Sequence, residues 1–446
     1  MGLRGLLVAK ILGPHYLGIY SLFLLYQQYL LYTNIGVQYT LSVELSKQSN
    51  NINELKNYIG STFFINFLSI IPLIIYFAFA YFINYKLFID ENNFFSIFLI
   101  LNTLLFNFQD IFINIFRIQN KLYLIAFLEL FSTIIIFSIV PFFTGLALVK
   151  IMVVISFILL VFTNLIFLIK LKGINFNLIY FKQIISLSIP FVLYHFFYSF
   201  FLMGLRSYIA YFYSYNIVGN FSFAYNIISI FLLLTNSITW IAYPKVISTL
   251  SNKSESGSNI ISYLTYLIKK IFLLQLILSF FAFLVSPIFF QLFPQFELAK
   301  NIFYILLFSS MYVGILFPVI TFHLSRENYW NLFYFSVISL LIGGIFIYII
   351  KIFNLDLIWV VYAYLVSLAI YFNLVINGIN KHFKLDNYNI KLIYSFSTQF
   401  LILLPSIFAL FSFNLIAFFI LLISVFAYYK DFLYFFKLFK NRNFEI

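Results

Sequence analysis

Apolar runs long enough to cross a bilayer recur along all 446 residues of the chain, with only short polar connections between them. A helix needs about 20 predominantly apolar residues to span a hydrocarbon core of about 30 Å. Inside that core every backbone N–H and C=O must be satisfied within the element, so only helices and closed barrels can cross. None of the runs shows the alternation of a barrel strand. The fold class is therefore all-α, a polytopic membrane helical bundle. A water-soluble domain is excluded by a chain that is 64% hydrophobic and 9% charged, with a mean hydropathy of +1.04. No cysteine is present, so disulfide and thiolate chemistry are absent. No signal-peptide pattern opens the chain.

Apolar windows predict about 14 transmembrane helices, at roughly 2–12, 16–43, 58–84, 94–116, 122–143, 145–169, 184–205, 208–242 (interrupted near Gly219), 270–293, 299–323, 330–350, 357–378, 392–411 and 414–430. With the N-terminus cytoplasmic, these spans divide the 26 Lys and Arg residues 20 to 6 in favour of the cytoplasmic side. One missed span would reverse every later loop and erase that asymmetry, so both termini are expected in the cytoplasm. The net charge of +13 is thus assigned to the membrane face and not to nucleic acid. Met1 to Leu12 would rise only about 18 Å as a helix, short of a full crossing. Either the chain starts inside a longer helix or this is a half-span sheltered by its neighbours. The longest polar connection, Ser251 to Asn259, reads as a flexible cytoplasmic linker.

Two short stretches echo each other. Gly18-Ile19-Tyr20-Ser21 and Gly219-Asn220-Phe221-Ser222 both run glycine, any residue, aromatic, serine into a long hydrophobic helix. Arg117-Ile118-Gln119-Asn120 before Tyr123 and Arg326-Glu327-Asn328 before Tyr329 keep nearly the same offset. Glycine and serine also punctuate ordinary helix starts. Two echoes at one spacing nevertheless suggest two related lobes, a common plan for transporters. The expected organisation is an N-terminal lobe over 1–170, a cytoplasmic linker over 171–183, a C-terminal lobe over 184–378, and two additional helices with a basic tail over 379–446. The two lobes would be pseudo-symmetric, with six helices each.

Ionisable groups within a membrane cost about 2.5–3.5 kcal/mol each on insertion scales, so each is a functional candidate. Asp110 and Arg117 lie two turns apart on one helix, with Asn102, Gln109 and Asn114 nearby. Gln27, Asn34 and Gln38 share one face of the second predicted helix, and Asn226, Ser229 and Asn236 repeat the arrangement later. Such stripes suit a water-filled cavity, and equally the interhelical hydrogen bonds that hold a bundle together. Lys10, Lys150 and Arg206 fall outside the cytoplasmic basic girdle. A partly buried cation there would attract phosphate, and arginine offers it a bidentate fork; snorkelling to the interface is the alternative. Glu129, mid-helix, is read as an ion-pair partner of Lys150 or Arg117, or as a ligand for a coupling cation. Asp90 and Glu91 form an acidic pair in an outer loop, the kind of group a membrane glycosyltransferase uses. The four histidines have no ligand spacing, and no metal cluster, Walker loop or Asp-x-Asp motif is present. No metal or cofactor is expected.

The run KILGPHYLGIYSLFLLYQQYLLYTNIGVQYTLSVELSK resembles the opening of Wzx-type polysaccharide (O-antigen) flippases, in which a basic residue, Leu-Gly-Pro and Tyr-Gly-x-Tyr lead into the second helix. The later IPFVLY, LRSYIAYFYSYNIVGNFSFAYNI and Tyr243-Pro244 are similar to that family's second-lobe stretch. The short first helix, Leu205 in place of an acidic residue and the spacer His15-Tyr16-Leu17 depart from its pattern. The resemblance implies membership of the multidrug/oligosaccharidyl-lipid/polysaccharide exporter superfamily, with two six-helix lobes around a cationic cavity. It also implies Lys10 and Arg206 at the family's basic positions.

The expected function is a flippase, not an enzyme. A polyprenyl-pyrophosphate-linked oligosaccharide would pass from the cytoplasmic to the outer leaflet of the cell membrane by alternating access. Lys10, Arg206 and Arg117 would bind the pyrophosphate, and Gln27, Asn34, Gln38, Asp110, Glu129, Lys150 and Asn226 would line the cavity. The partners implied are the lipid-linked oligosaccharide, the bilayer and glycan-assembly proteins, with no nucleic acid. A cation-coupled multidrug exporter on the same scaffold is the first alternative. A membrane-embedded polysaccharide polymerase is the second, and it would need a sizeable catalytic outer loop that the short loops do not provide.

Overall fold

The structure, a computed structural model, describes residues 2–38, 40–41, 44, 52–82, 92–119, 121–170, 175–251, 257–382, 397–410 and 414–427. The acidic pair Asp90 and Glu91 and most of the Ser251–Asn259 linker lie outside the described residues. The helices are α1 (Gly2–Leu30), α2 (Ile52–Leu68), α3 (Ile70–Phe82), α4 (Asn92–Ile118), α5 (Leu122–Ile139), α6 (Gly145–Lys170), α7 (Leu178–Phe212), α8 (Tyr215–Ser251), α9 (Gly257–Leu292), α10 (Ala299–Ser325), α11 (Tyr329–Ile352), α12 (Leu357–His382), α13 (Ser397–Leu410) and α14 (Asn414–Ala427). Among the described residues, eleven helices are long and apolar enough to cross a membrane. The chain is a polytopic helical membrane bundle.

Three departures from regular helix have local causes. First, α1 is two helical arms joined at Gly13, whose φ of 67° and ψ of 175° only glycine adopts readily. Pro14 then opens the second arm, where its missing N–H costs nothing. Second, the helix expected to run unbroken to residue 43 ends at Leu30. A 3-10 turn over Leu31–Asn34 follows, with Ile35 and Gly36 at positive φ. The Asn34 side chain stabilises the break: its Oδ1 accepts the Gly36 N–H at 2.9 Å and its Nδ2 donates to Gln38 Oε1 at 2.6 Å. Third, Gly219 does not interrupt its helix. The break expected there lies at Tyr213–Ser214, between α7 and α8.

The chain divides into two compact units, Leu3–Ser199 with Arg206–Ser222, and Phe200–Leu205 with Phe223–Ile446. In the first, α4 is the central element. Phe112 and Phe116 of α4 pack with Leu124 and Leu128 of α5 and Phe167 of α6. On its other side Ile111 and Ile115 join Tyr58, Ile59 and Ile65 of α2. Two amide clamps tie α4 to α6 in opposite directions: Asn102 donates to the Val153 carbonyl at 3.3 Å and Asn164 to the Leu105 carbonyl at 2.9 Å.

The same unit contains the crossing of the second arm of α1 with the first turns of α8, where the echoed sequences meet. A Cβ on Gly18 would run into the Tyr215 carbonyl, and one on Gly219 into the Pro14 carbonyl. The contacts run crosswise between two pairs of positions with the same offset of 201 residues, 14 with 215 and 18 with 219: Gly18 meets Tyr215 and Gly219 meets Pro14. The crossing is thus reciprocal. It brings backbone against backbone as only a small residue permits.

In the second unit α10 is the axis. It is buried almost continuously from Ile302 to Ser325 and is flanked by α9, α12 and α13. Several of its polar groups and neighbours are paired. Gln275 donates to Thr235 at 2.9 Å, Ser286 lies 3.2 Å from the Tyr304 hydroxyl, and His323 Nε2 lies 3.1 Å from the Val375 carbonyl.

Candidate functional site

Within the first unit α1, α4, α5 and α6 enclose a cavity of about 160 Å³. Each helix contributes one face at three- and four-residue spacing. Tyr20, Phe23, Leu24 and Gln27 come from α1; Asn102, Phe106, Gln109 and Ile113 from α4; Ile125, Leu128, Glu129, Ser132 and Ile136 from α5; and Ser156, Leu159, Leu160, Thr163 and Phe167 from α6. Aromatic and aliphatic side chains form most of the wall, and one carboxylate, three amides and three aliphatic hydroxyls interrupt it. The polar positions fall mid-helix on α4, α5 and α6, so they lie at membrane depth.

The predicted site residues do not converge on this cavity. Gln27 and Glu129 line it, together with Asn102 and Gln109, which the sequence placed beside Asp110. Asn34 and Gln38 are buried and bond to each other at the end of the α1 region. Asn114 donates to the Gln38 carbonyl at 3.3 Å and to the Asp110 carbonyl at 3.0 Å, which places Asp110 on that side of α4. Arg206 is buried and ties α7 to α1, donating to the Ser21 carbonyl at 3.0 Å and to Gln28 Oε1 at 3.2 Å. Arg117 is buried in the last turn of α4. Lys10 is exposed on the first arm of α1. Lys150 sits near the start of α6, its Nζ 5.8 Å from the centre of the Phe94 ring. Asn226 lies in the second unit with its carbonyl bonded to Ser229, and Asn236 is exposed.

A second polar seam joins α1 and its terminal turn to α7. Tyr29 bonds Ser207 at 2.7 Å, Tyr32 bonds His195 Nδ1 at 2.9 Å, and Ser188 donates to Thr40 at 2.9 Å. Sequence reading missed it. Its members come from segments more than a hundred residues apart, each unremarkable alone. The cavity's hydroxyls, Ser132, Ser156 and Thr163, were missed for the same reason: a lone serine or threonine in an apolar helix usually bonds its own backbone.

No protein-family model and no curated protein matches the chain. Solved structures do. A lipid II flippase, MurJ, in an inward closed conformation superposes with a TM-score of 0.64 at 15% identity, over 96% of this chain and 96% of that one. The chain shares its fold. A MATE protein in complex with MaL6 superposes with a TM-score of 0.60 at 14% identity, over 86% of this chain and 98% of the other. At these identities the likeness speaks for the arrangement of helices alone.

Proposed function

We propose that the chain is a transporter of the multidrug/oligosaccharidyl-lipid/polysaccharide exporter superfamily and a Wzx-type flippase. It moves a polyprenyl-pyrophosphate-linked oligosaccharide from the cytoplasmic to the outer leaflet of the plasma membrane by alternating access. The observation that carries this reading is the match of fold to a lipid II flippase over 96% of both chains. Sequence motifs similar to those of polysaccharide flippases support it from the other side. Translocation requires no bond to be made or broken, only differential affinity of two states for the cargo. Lys10, Arg206 and Arg117 are assigned to the pyrophosphate, where cationic donors hold anionic oxygens. Glycan-assembly proteins would act before and after the step. A small-molecule exporter is the second reading, and the MATE match supports it.

The test follows the cargo. In cells lacking the gene, lipid-linked oligosaccharide should accumulate on the cytoplasmic face, protected from a membrane-impermeant sugar probe, and should cross again when the gene is restored. Unchanged glycan with altered drug sensitivity would select the exporter. Lys10→Gln is the cleaner charge variant, since Lys10 is exposed whereas Arg206 also braces α1 against α7. It should cut flipping roughly tenfold, the equivalent of about 1.4 kcal/mol in binding, with protein abundance unchanged. Normal flipping would remove Lys10 from the pyrophosphate site.

A further inference from the structure

The connection between α6 and α7 presents apolar side chains that the chain itself leaves uncovered. Its described part, residues 175–177, is held in place on α2. The Asn175 N–H donates to the Lys56 carbonyl at 3.4 Å, and Ser61 donates to the Asn177 carbonyl at 3.0 Å. Asn177 then caps α7, its Oδ1 accepting the Ile179 N–H at 2.9 Å. Aromatic rings fasten the start of α7 to the same helix: the ring centre of Tyr180 lies 4.7 Å from that of Tyr58, and those of Phe176 and Phe181 lie 4.9 and 5.8 Å from that of Phe64. Although the backbone is fixed in this way, Phe176, Leu178 and Ile179 are 53%, 56% and 74% exposed. Ile169, in the last turn of α6, is 83% exposed. Lys170 and Lys182 flank the patch along the chain, and both are exposed. Among the described residues, no acidic side chain pairs with either.

Depth decides what covers such a patch. The bonds to Lys56 and Ser61 and the Tyr58–Tyr180 ring pair set residues 175–180 level with the first turns of the apolar stretch that begins at Lys56. The 26 residues of α6 rise about 39 Å against a hydrocarbon core of about 30 Å, so its end at Lys170 reaches the same boundary. Phe176 packs on Phe64, which with Phe67 and Ile71 forms an exposed apolar row that faces acyl chains. Apolar side chains beside lysines at this level suit a segment lying in the headgroup region, with the apolar groups reaching inward and the ammonium groups meeting phosphate. The lysine distribution assigns this end of α6 and α7 to the cytoplasmic face, where anionic lipids attract basic segments. We infer that the α6–α7 connection is a binding site for an anionic phospholipid of the cytoplasmic leaflet, with Lys170 and Lys182 as its headgroup contacts and Phe176, Leu178 and Ile179 seated among acyl chains. Because the connection is also tied to α2, a bound lipid braces three helices at once. The site needs a bilayer and no cargo, so it stands apart from the flippase reading.

The test places a reporter in the patch. The chain has no cysteine, so Ile179→Cys takes a single bimane label. The labelled full-length protein is reconstituted in phosphatidylcholine nanodiscs with rising fractions of brominated phosphatidylglycerol or brominated phosphatidylcholine, whose acyl-chain bromines quench a label they touch. Brominated phosphatidylglycerol should reach half-maximal quenching at a mole fraction about fivefold or more below that of brominated phosphatidylcholine. Lys170→Gln combined with Lys182→Gln should remove most of that preference while leaving quenching by phosphatidylcholine in place, and Lys170→Arg combined with Lys182→Arg should keep it. Raised salt should weaken the preference, as it screens surface charge. Leu178→Cys carries the same label in a second series, should the first labelled protein prove unstable. Absence of quenching by either lipid would place the patch outside the bilayer, under a protein partner or a second copy, and would overturn the site. Equal quenching by the two lipids, or a preference untouched in the double glutamine variant, would overturn the role of the lysines and with it the selection of an anionic lipid.

Discussion

The two units differ in the charge they carry at membrane depth. In the first, helices at membrane depth carry two carboxylates, Asp110 and Glu129, and α1, α4, α5 and α6 line a cavity whose wall includes the buried, unpartnered Oδ1 of Asn102. In the second, no helix from α9 to α14 contains an Asp or Glu. Some polar groups near the axis helix α10 close on one another, as Gln275 with Thr235 and Ser286 with Tyr304 do, while the buried Tyr312 hydroxyl of α10 has no hydrogen-bond partner. A satisfied pair tightens a bundle, whereas an unsatisfied set persists only when something else provides for it. Unpaired buried atoms occur in both units, so what sets the first apart is its two carboxylates at membrane depth and the cavity that one of them, Glu129, lines.

Glycine contacts offer the strongest way to break this contrast, because two glycines face obstacles of different kinds. At Gly219 the obstacle is the Pro14 carbonyl, part of the backbone, which can yield only if α1 moves. At Gly314 in the second unit it is the Gln275 side chain, whose Cγ would lie 2.7 Å from the new Cβ and which yields by rotamer change at the expense of its bond to Thr235, with no backbone displaced. Gly219→Ala should cost about 3 kcal/mol or more, at the upper end of overpacking, and should show as a loss of monodisperse protein in detergent. Gly314→Ala should cost about 1 kcal/mol, read as a lower melting temperature in a protein that still purifies. Equal losses would mean that the α1–α8 crossing is no tighter than ordinary helix packing.

An intermediate effect separates a paired glutamine from an unpaired one. Gln275→Leu removes the partner of Thr235, and stranding a buried polar group costs about 1–3 kcal/mol. Gln109→Leu only adds apolar contact to the cavity wall that Gln109 lines, so stability should stay within about 0.5 kcal/mol or rise. Melting temperatures of the two purified variants decide the matter. If Gln109→Leu proves the more damaging, the first unit's cavity is not open in the sense argued.

The fold class was legible because the bilayer allows so few solutions: run length and hydropathy suffice for helices, and Gly13-Pro14 announced its own break. The place where the second helix stops was not legible, since Leu31–Asn34 has no glycine or proline. Its cause is the Asn34 amide choosing the Gly36 N–H and Gln38 over continued helix. Gly18 and Gly219 were visible as an echo, but sequence could not say that each lies against the carbonyl four residues before the other. The site was half legible. Glu129 and Gln27 stood out as polar groups in apolar helices, and Asn102 and Gln109 were visible only as polar residues near Asp110. The same logic grouped Asn34, Gln38 and Asn226 with them, because periodicity tells which residues share a face of one helix and says nothing of which helix that face meets.

The smallest expected effect concerns Lys150. It belongs to α6, as Ser156 and Thr163 do, yet it sits about 1.7 turns before Ser156 and about 3.6 before Thr163, outside the cavity lining. Its ammonium lies 5.8 Å from the centre of the Phe94 ring, on α4. A cation over an aromatic face at a half-buried position contributes about 0.5–1 kcal/mol, and the aliphatic stem adds contact that glutamine largely preserves. Lys150→Gln should therefore lower the melting temperature only slightly and leave flipping near wild type. A marked loss of flipping with the melting temperature unchanged would mean that the Lys150 charge acts on the cargo and not only on the Phe94 ring, and the first unit's charges would then have to be treated as one set.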